Sequence, residues 1–331
     1  MARRPVHPAA VLLGLLWGAL LAAPLAGQAC VESDFDPRAG PASGSTMVPV
    51  GPGRMHVLEC GDGAPVVFVH GQPTSTWLWR DVVPSMTGQG RAHVVDLLGF
   101  GRSDRPAIAY SAADHERAFA ALMERLGEEP VVLVGHDCGS YVMLGWAARN
   151  PGRVRALVLM EGILPVGLSR RGLTDPLGAR ADSVVSTIFR MAGLGPGGAL
   201  SDDAVTALAL DDFLRLGTVR TLSADEHDGY AAPFDGASRA AVGAMPRQIP
   251  EQRVLDEVFA YAAWLESTDV PLLYFAVEPG VLAPPEQRRW VEERVTNLTV
   301  VELGAGVHFV QEDHGRRIGA ALADWLARLG R

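Results

Sequence analysis

The chain has 331 residues, 48% of them hydrophobic and 20% charged, with a formal net charge of −9. That suits a globular protein with a sizeable core, as one large domain or two small ones. An acidic balance with no Lys/Arg run argues against nucleic acid or an anionic membrane surface as a partner, and there is no internal repeat.

Arg3 and Arg4 precede a long apolar stretch, "AAVLLGLLWGALLAAPLAG", which small residues follow; residues 1–29 therefore read as a signal peptide. Three fates stay open: cleavage after Ala29, lipidation at Cys30, or retention as an anchor. The expected location is exported, periplasmic or secreted, with membrane contact only through this segment. Residues 30–46 are polar and Pro/Gly-rich and read as a linker. The three cysteines, Cys30, Cys60 and Cys138, give no disulfide framework; a Cys30–Cys60 bridge is conceivable without support. No Cys/His spacing resembles a metal site.

Continuous apolar runs at 64–71, 91–99, 129–137 and 154–162 read as strands buried on both faces. Helical patterns separate them, such as "AADHERAFAALMERLG" and "SYVMLGWAARNP", the latter stopped by Pro151. Strand patterns resume at 270–280 and 298–306, and an amphipathic helix at 313–329 closes the chain. This alternation predicts an α/β fold with a mostly parallel, doubly wound sheet and functional residues at the carboxyl ends of its strands. The core takes 47–163 and 252–331. Residues 164–251 break the rhythm and read as a helical cap inserted after the strand ending at Glu161.

The strand-to-helix turn "GHDCG" has the form G-x-Nu-x-G of a nucleophile elbow, with Asp137 at the centre. Gly135 and Gly139 fit that register, whereas a Cys138 nucleophile would place His136 and Ser140 where small residues are needed. Loop "HGQPTSTWLWR" after the first long strand supplies a second part. Backbone N–H groups of Gln72 and Cys138 are the expected oxyanion donors. His308, just past the last strand, stands where a triad histidine falls in the order nucleophile, acid, histidine. His56, His93, His115, His227 and His314 read as surface or structural residues.

These motifs in series resemble the haloalkane dehalogenases of the α/β-hydrolase superfamily: "HGQPTSTWLWR", "DLLGFGRSDRP", "GHDCG", "ARNPGRVRALVLMEG", "PRQIP", "AVEPGVL" and "HFVQED" fall in matching order. The resemblance implies an α/β-hydrolase fold. It also implies a reaction in which Asp137 displaces halide from carbon to form an alkyl–enzyme ester, and His308-activated water hydrolyses that ester. Glu161 matches the orienting acid of one branch and is the acid the resemblance favours; Glu278 lies near the position used by another, but the Glu161-type branch carries the same E-P-G stretch without using it as the acid. No cofactor is implied, and the expected substrate is a small apolar halogenated molecule acted on by a monomer.

Two departures stand out. The family's Trp after the nucleophile is Cys138 here, a weak S–H donor, and the loop Asn is Gln72. No Trp occurs between residues 147 and 263 to substitute from the cap. Removing one oriented donor from a developing anion costs ~10²–10³-fold in rate. The alternatives are an epoxide hydrolase, for which the cap offers Tyr230 with Tyr261 just beyond, and a non-dehalogenating relative, either a binding protein or a cofactor-free luciferase-like oxygenase.

Overall fold

The computed structural model describes residues 27–330 except 87, 128, 167, 170–171, 174–209, 235–238, 243, 245–247 and 249–250. Most of the segment read as a signal, and residues 174–209 of the inserted cap, lie outside the described residues.

The valine-rich runs become strands because β-branched side chains pack well on a pleated surface. In chain order they are β1 (Ser45–Pro49), β2 (Arg54–Cys60), β3 (Pro65–Val69), β4 (Arg91–Val95), β5 (Val131–His136), β6 (Val154–Gly162), β7 (Leu272–Pro279) and β8 (Leu298–Gly306). All eight join one sheet in the order β1-β2-β4-β3-β5-β6-β7-β8. The β1–β2 and β2–β4 pairings are antiparallel, and every pairing from β4 to β8 is parallel. The principal helices are α1 (Ala112–Arg125), α2 (Asp137–Arg149), α3 (Leu210–Gly217), α4 (Ala224–Ala231), α5 (Gln252–Ser267), α6 (Pro285–Arg294) and α7 (Val310–Leu329).

Successive side chains of a strand point to opposite faces, so the sheet has a core on each side. Val67, Val69, Leu133 and Leu159 share one core with Phe119 of α1, Tyr141 of α2 and Val258 of α5. Val66, Phe68, Val134 and Met160 share the other with Ile318, Leu322 and Trp325 of α7. Helix α1 starts where Ser111 accepts a bond from Asp114 N (3.1 Å) while Asp114 accepts one from Ser111 N (2.9 Å), a reciprocal cap. Among the described residues no helix is long and apolar enough to cross a membrane.

Two expectations are corrected at the N-terminus. Cys30 and Cys60 form a disulfide, so the odd cysteine count did hide a cross-link. The 30–46 stretch is not a free tether either. Phe35 is fully buried, and Arg102 Nη2 donates to the carbonyl oxygens of Asp36 (2.6 Å) and Ala39 (3.0 Å). Arg38 stacks over Trp77 and donates to Asp225 of α4 at 2.7 Å. A polar, Pro/Gly-rich composition signals missing regular structure, and here irregular chain is fastened by a few strong contacts.

Candidate active site

The elbow is built by close approach. Strand β5 ends at His136, and Asp137 opens α2 with φ +50, a left-handed conformation that non-glycine residues rarely adopt. The tight turn needs bare backbone around it. A Cβ on Gly139 would collide with the carbonyl oxygens of Val69 and His70, one on Gly135 would lie 2.6 Å from Met143 Sδ, and one on Gly71 would strike Asp137 itself. Ser140 ties the turn down: its Oγ donates to Asp137 O (2.6 Å) and accepts from Ile163 N (2.8 Å).

The Asp137 carboxylate has two distinct oxygens. Oδ1 accepts a hydrogen bond from Gln72 N at 2.9 Å. Oδ2 lies 3.6 Å from His308 Nε2, beyond normal hydrogen-bond length. The carboxylate also sits in the first turn of α2, where backbone N–H groups without an intrahelical partner, that of Cys138 among them, and the helix dipole favour negative charge. The loop carrying Gln72 is held by His70, a neutral ring locked between two backbone groups. Its Nδ1–H donates to Gly71 O (2.7 Å) and its Nε2 accepts from Leu97 N (3.0 Å), while burial lowers its pKa.

His308 lies between the two carboxylates. Its Nδ1 is 3.2 Å from Glu161 Oε2 and its ring is 2% exposed. Burial pushes the imidazole pKa down, but the Glu161 hydrogen bond and the charges of Asp137 and Glu161 outweigh it, so the pKa lies above its ordinary value. With Nδ1–H directed at Glu161, the Nε2 lone pair faces Asp137 in the neutral ring.

Glu161 and Glu278 are separated by environment. Glu278 is exposed at the end of β7. Glu161 is fully buried, has φ +46, and accepts backbone bonds from Val281 (2.9 Å), Leu282 (2.9 Å) and Ala283 (3.2 Å). The "AVEPGVL" stretch therefore serves the site through its N–H groups. Sequence reading missed this cradle, because backbone donors carry no side-chain signature. Gln287 closes the same corner by donating to Gly162 O at 3.0 Å.

The remaining candidates sit as follows. Gln72 is 3% exposed, and neither its Nε2 nor its Oε1 meets a protein partner among the described residues. Cys138 is a buried free cysteine; burial, then the charge and hydrogen bond of Asp137, push its thiol pKa well up, so it is a neutral S–H. Tyr230 is buried and donates to Glu312 Oε1, and Tyr261 donates to Ile163 O at 2.7 Å. Neither phenol is free to protonate an opening ring. A further residue, His136, was not singled out from sequence: its Nε2 is 2.9 Å from His308 O, and the two rings lie 4.7 Å apart.

Residues 64–315 match the pattern of the alpha/beta hydrolase fold. A haloalkane dehalogenase of Mesorhizobium japonicum is 34% identical over 287 residues, covering 85% of this chain and 90% of that one. Another, from Bradyrhizobium diazoefficiens, is 34% identical over 307 residues, covering 89% and 95%. Among solved structures, haloalkane dehalogenase DbeA of Bradyrhizobium elkani superposes with a TM-score of 0.74 at 32% identity, covering 86% of this chain and 98% of that one. With a strand-end aspartate, a buried glutamate and a late histidine in one constellation on this sheet, the chain belongs to the haloalkane dehalogenase family of the α/β-hydrolase fold.

Proposed function

We propose that the protein hydrolyses carbon–halogen bonds of small apolar molecules through a covalent ester on Asp137. Asp137 Oδ2 attacks the carbon bearing the halogen; the new C–O bond forms as the C–X bond breaks, and halide leaves with the electron pair. A carboxylate suits this step because it is ionised at neutral pH and needs no base. His308 Nε2 then takes a proton from a water that adds to Asp137 Cγ. The charge that develops falls on Oδ1, the oxygen already held by Gln72 N–H, with Cys138 N–H as second donor. Collapse expels the alcohol, which takes the proton from His308; the carboxylic acid left on Asp137 then loses its proton to solvent, restoring the carboxylate, and Glu161 steadies the imidazolium in between. The observation that carries this reading is the division of labour on Asp137, with one oxygen held by a backbone donor and the other facing the imidazole.

Halide is received by the buried Gln72 amide, which has no protein partner among the described residues, and more weakly by the Cys138 thiol, so leaving-group stabilisation is modest. Both tyrosines being engaged elsewhere speaks against the epoxide alternative. We place the mature protein in an oxidising compartment as a monomer. The Cys30–Cys60 bond supports export, and a Cys30 sulfur in a disulfide has no valence left for a lipid.

The decisive test is iodide release from 1-iodobutane, with intact mass of His308→Phe after incubation. Release by the wild type, and a butyl adduct located on Asp137 in the variant, are expected. An unmodified variant under conditions where the wild type turns over would refute the mechanism. Periplasmic fractionation, the mass of the mature chain and light scattering check location, processing and monomeric state.

A further inference from the structure

We infer that His136 is a positioning residue for His308, fastening the catalytic base to the strand that carries the nucleophile and thereby governing the ester-hydrolysis step. The inference rests on the reading of Asp137 and His308 given above.

His308 lies on a short loop between β8 and α7, and a loop needs outside contacts to hold an imidazole to within a fraction of an ångström. Two sets provide them. On the cap side, His308 N (2.9 Å) and Phe309 N (2.8 Å) both donate to Gly217 O at the end of α3. On the sheet side, the His308 carbonyl faces His136 Nε2 at 2.9 Å. A carbonyl oxygen only accepts, so Nε2 of His136 carries the proton and the ring is the Nε2–H tautomer. Its Nδ1 has no protein partner among the described residues. The ring is fully buried and packs 4.7 Å from the His308 ring and 6.0 Å from that of Phe309.

The chain position gives this contact its meaning. His136 is the last residue of β5 and Asp137 the first of α2, so one peptide unit joins the nucleophile to the group that grips the base. Any shift of the elbow carries the His308 loop with it. The ring must also stay uncharged, since a second imidazolium at this distance would oppose protonation of His308 during hydrolysis. Burial, then the neighbouring His308, lower the His136 pKa to about 3, so it remains neutral at any working pH.

Of the two chemical steps, only the second uses the His308 base. Loss of the His136 contact should therefore slow ester breakdown and spare ester formation. The amide nitrogen of Gln reproduces Nε2 of histidine, and that of Asn reproduces Nδ1, so His136→Gln and His136→Asn separate the hydrogen bond from bulk and polarity. In rapid-quench reactions with 1-iodobutane, His136→Asn is expected to keep its iodide burst within about threefold of wild type. Its steady-state turnover should fall about 10- to 100-fold, the scale of a misplaced catalytic group, with the butyl ester accumulating on Asp137. His136→Gln should recover most of the turnover, and His136→Phe should behave like the Asn variant if it folds.

Equal slowing of burst and turnover in the folded Asn variant would overturn the assignment, and so would unchanged turnover or a Gln variant as slow as Asn. A wild type that releases no iodide, with no adduct on His308→Phe, would overturn the dehalogenase reading itself and this assignment with it.

Discussion

His308 owes its raised pKa partly to the negative charge of Asp137, and that charge disappears when the carboxylate becomes an ester. The imidazole of the intermediate then loses one of the interactions that favour its protonated form, so its pKa falls relative to the free protein. Ester hydrolysis requires the neutral ring, so its rate rises with pH through that lower value. Single-turnover decay of the ester should inflect at lower pH than the NMR titration of His308 in the unreacted protein; coincident inflections would contradict the electrostatic coupling. Cys138 gives a second expectation at this scale. A buried, neutral thiol is a poor nucleophile. Native protein should take up no N-ethylmaleimide at pH 7, and one equivalent once unfolded without reductant; labelling of the native state would mean that the site opens. Asp137 and His308 were legible because their side chains bear the chemistry in a fixed chain order. Glu161 was favoured over Glu278 by resemblance alone; its burial and three backbone partners, against an exposed Glu278, are the physical difference that residue type does not encode.

Elements place these residues through backbone crowding. Helix α2 approaches β3 so closely at Gly139 that a methyl group would meet two carbonyl oxygens. Gly139→Ala should destabilise the fold by about 1–3 kcal/mol, the usual cost of overpacking, and displace Asp137. Urea unfolding with m-value control measures the first effect, and loss of the ester in the His308→Phe background reports the second. An alanine variant with an unchanged midpoint would show that the helix has room to retreat. The strands β3 to β6 were readable because both faces are buried and the apolar runs are unbroken. Hairpin β1–β2 was not: β1, "STMVP", is only partly buried and its alternation is weak. Helix α5 carries charged residues through its first turns and was passed over, although Val254, Leu255 and Val258 line its buried face.

Across the whole molecule, a buried ionic hub joins cap to core. Arg80, 1% exposed, makes two bonds to Glu312 (2.6 and 2.7 Å), and Tyr230 of α4 donates to the same carboxylate. Arg220 reaches Glu312 at 2.6 Å and Glu226 at 2.6 Å, and Trp77 Nε1 donates to Glu226 O at 3.1 Å. Such pairs gain little over apolar packing, but removing one partner strands a charge at about 3–5 kcal/mol. Glu312→Gln should lose stability on that scale in chemical denaturation, and a change under about 1 kcal/mol would mean that Glu226 takes over. Glu312 stands in the first turn of α7, where an acidic residue is ordinary. Its pairing with Tyr230 of α4, 82 residues away, is tertiary and left no local trace.

The cross-link between Cys30 and Cys60 bears on how the protein is made. Closing a span of this length contributes about 2–4 kcal/mol by restricting the unfolded chain. Material harvested from a reducing cytosol would forgo that contribution and leave the Phe35 segment without its covalent pin. Melting points compared between such batches and secreted ones would then rank the hosts rather than the variants.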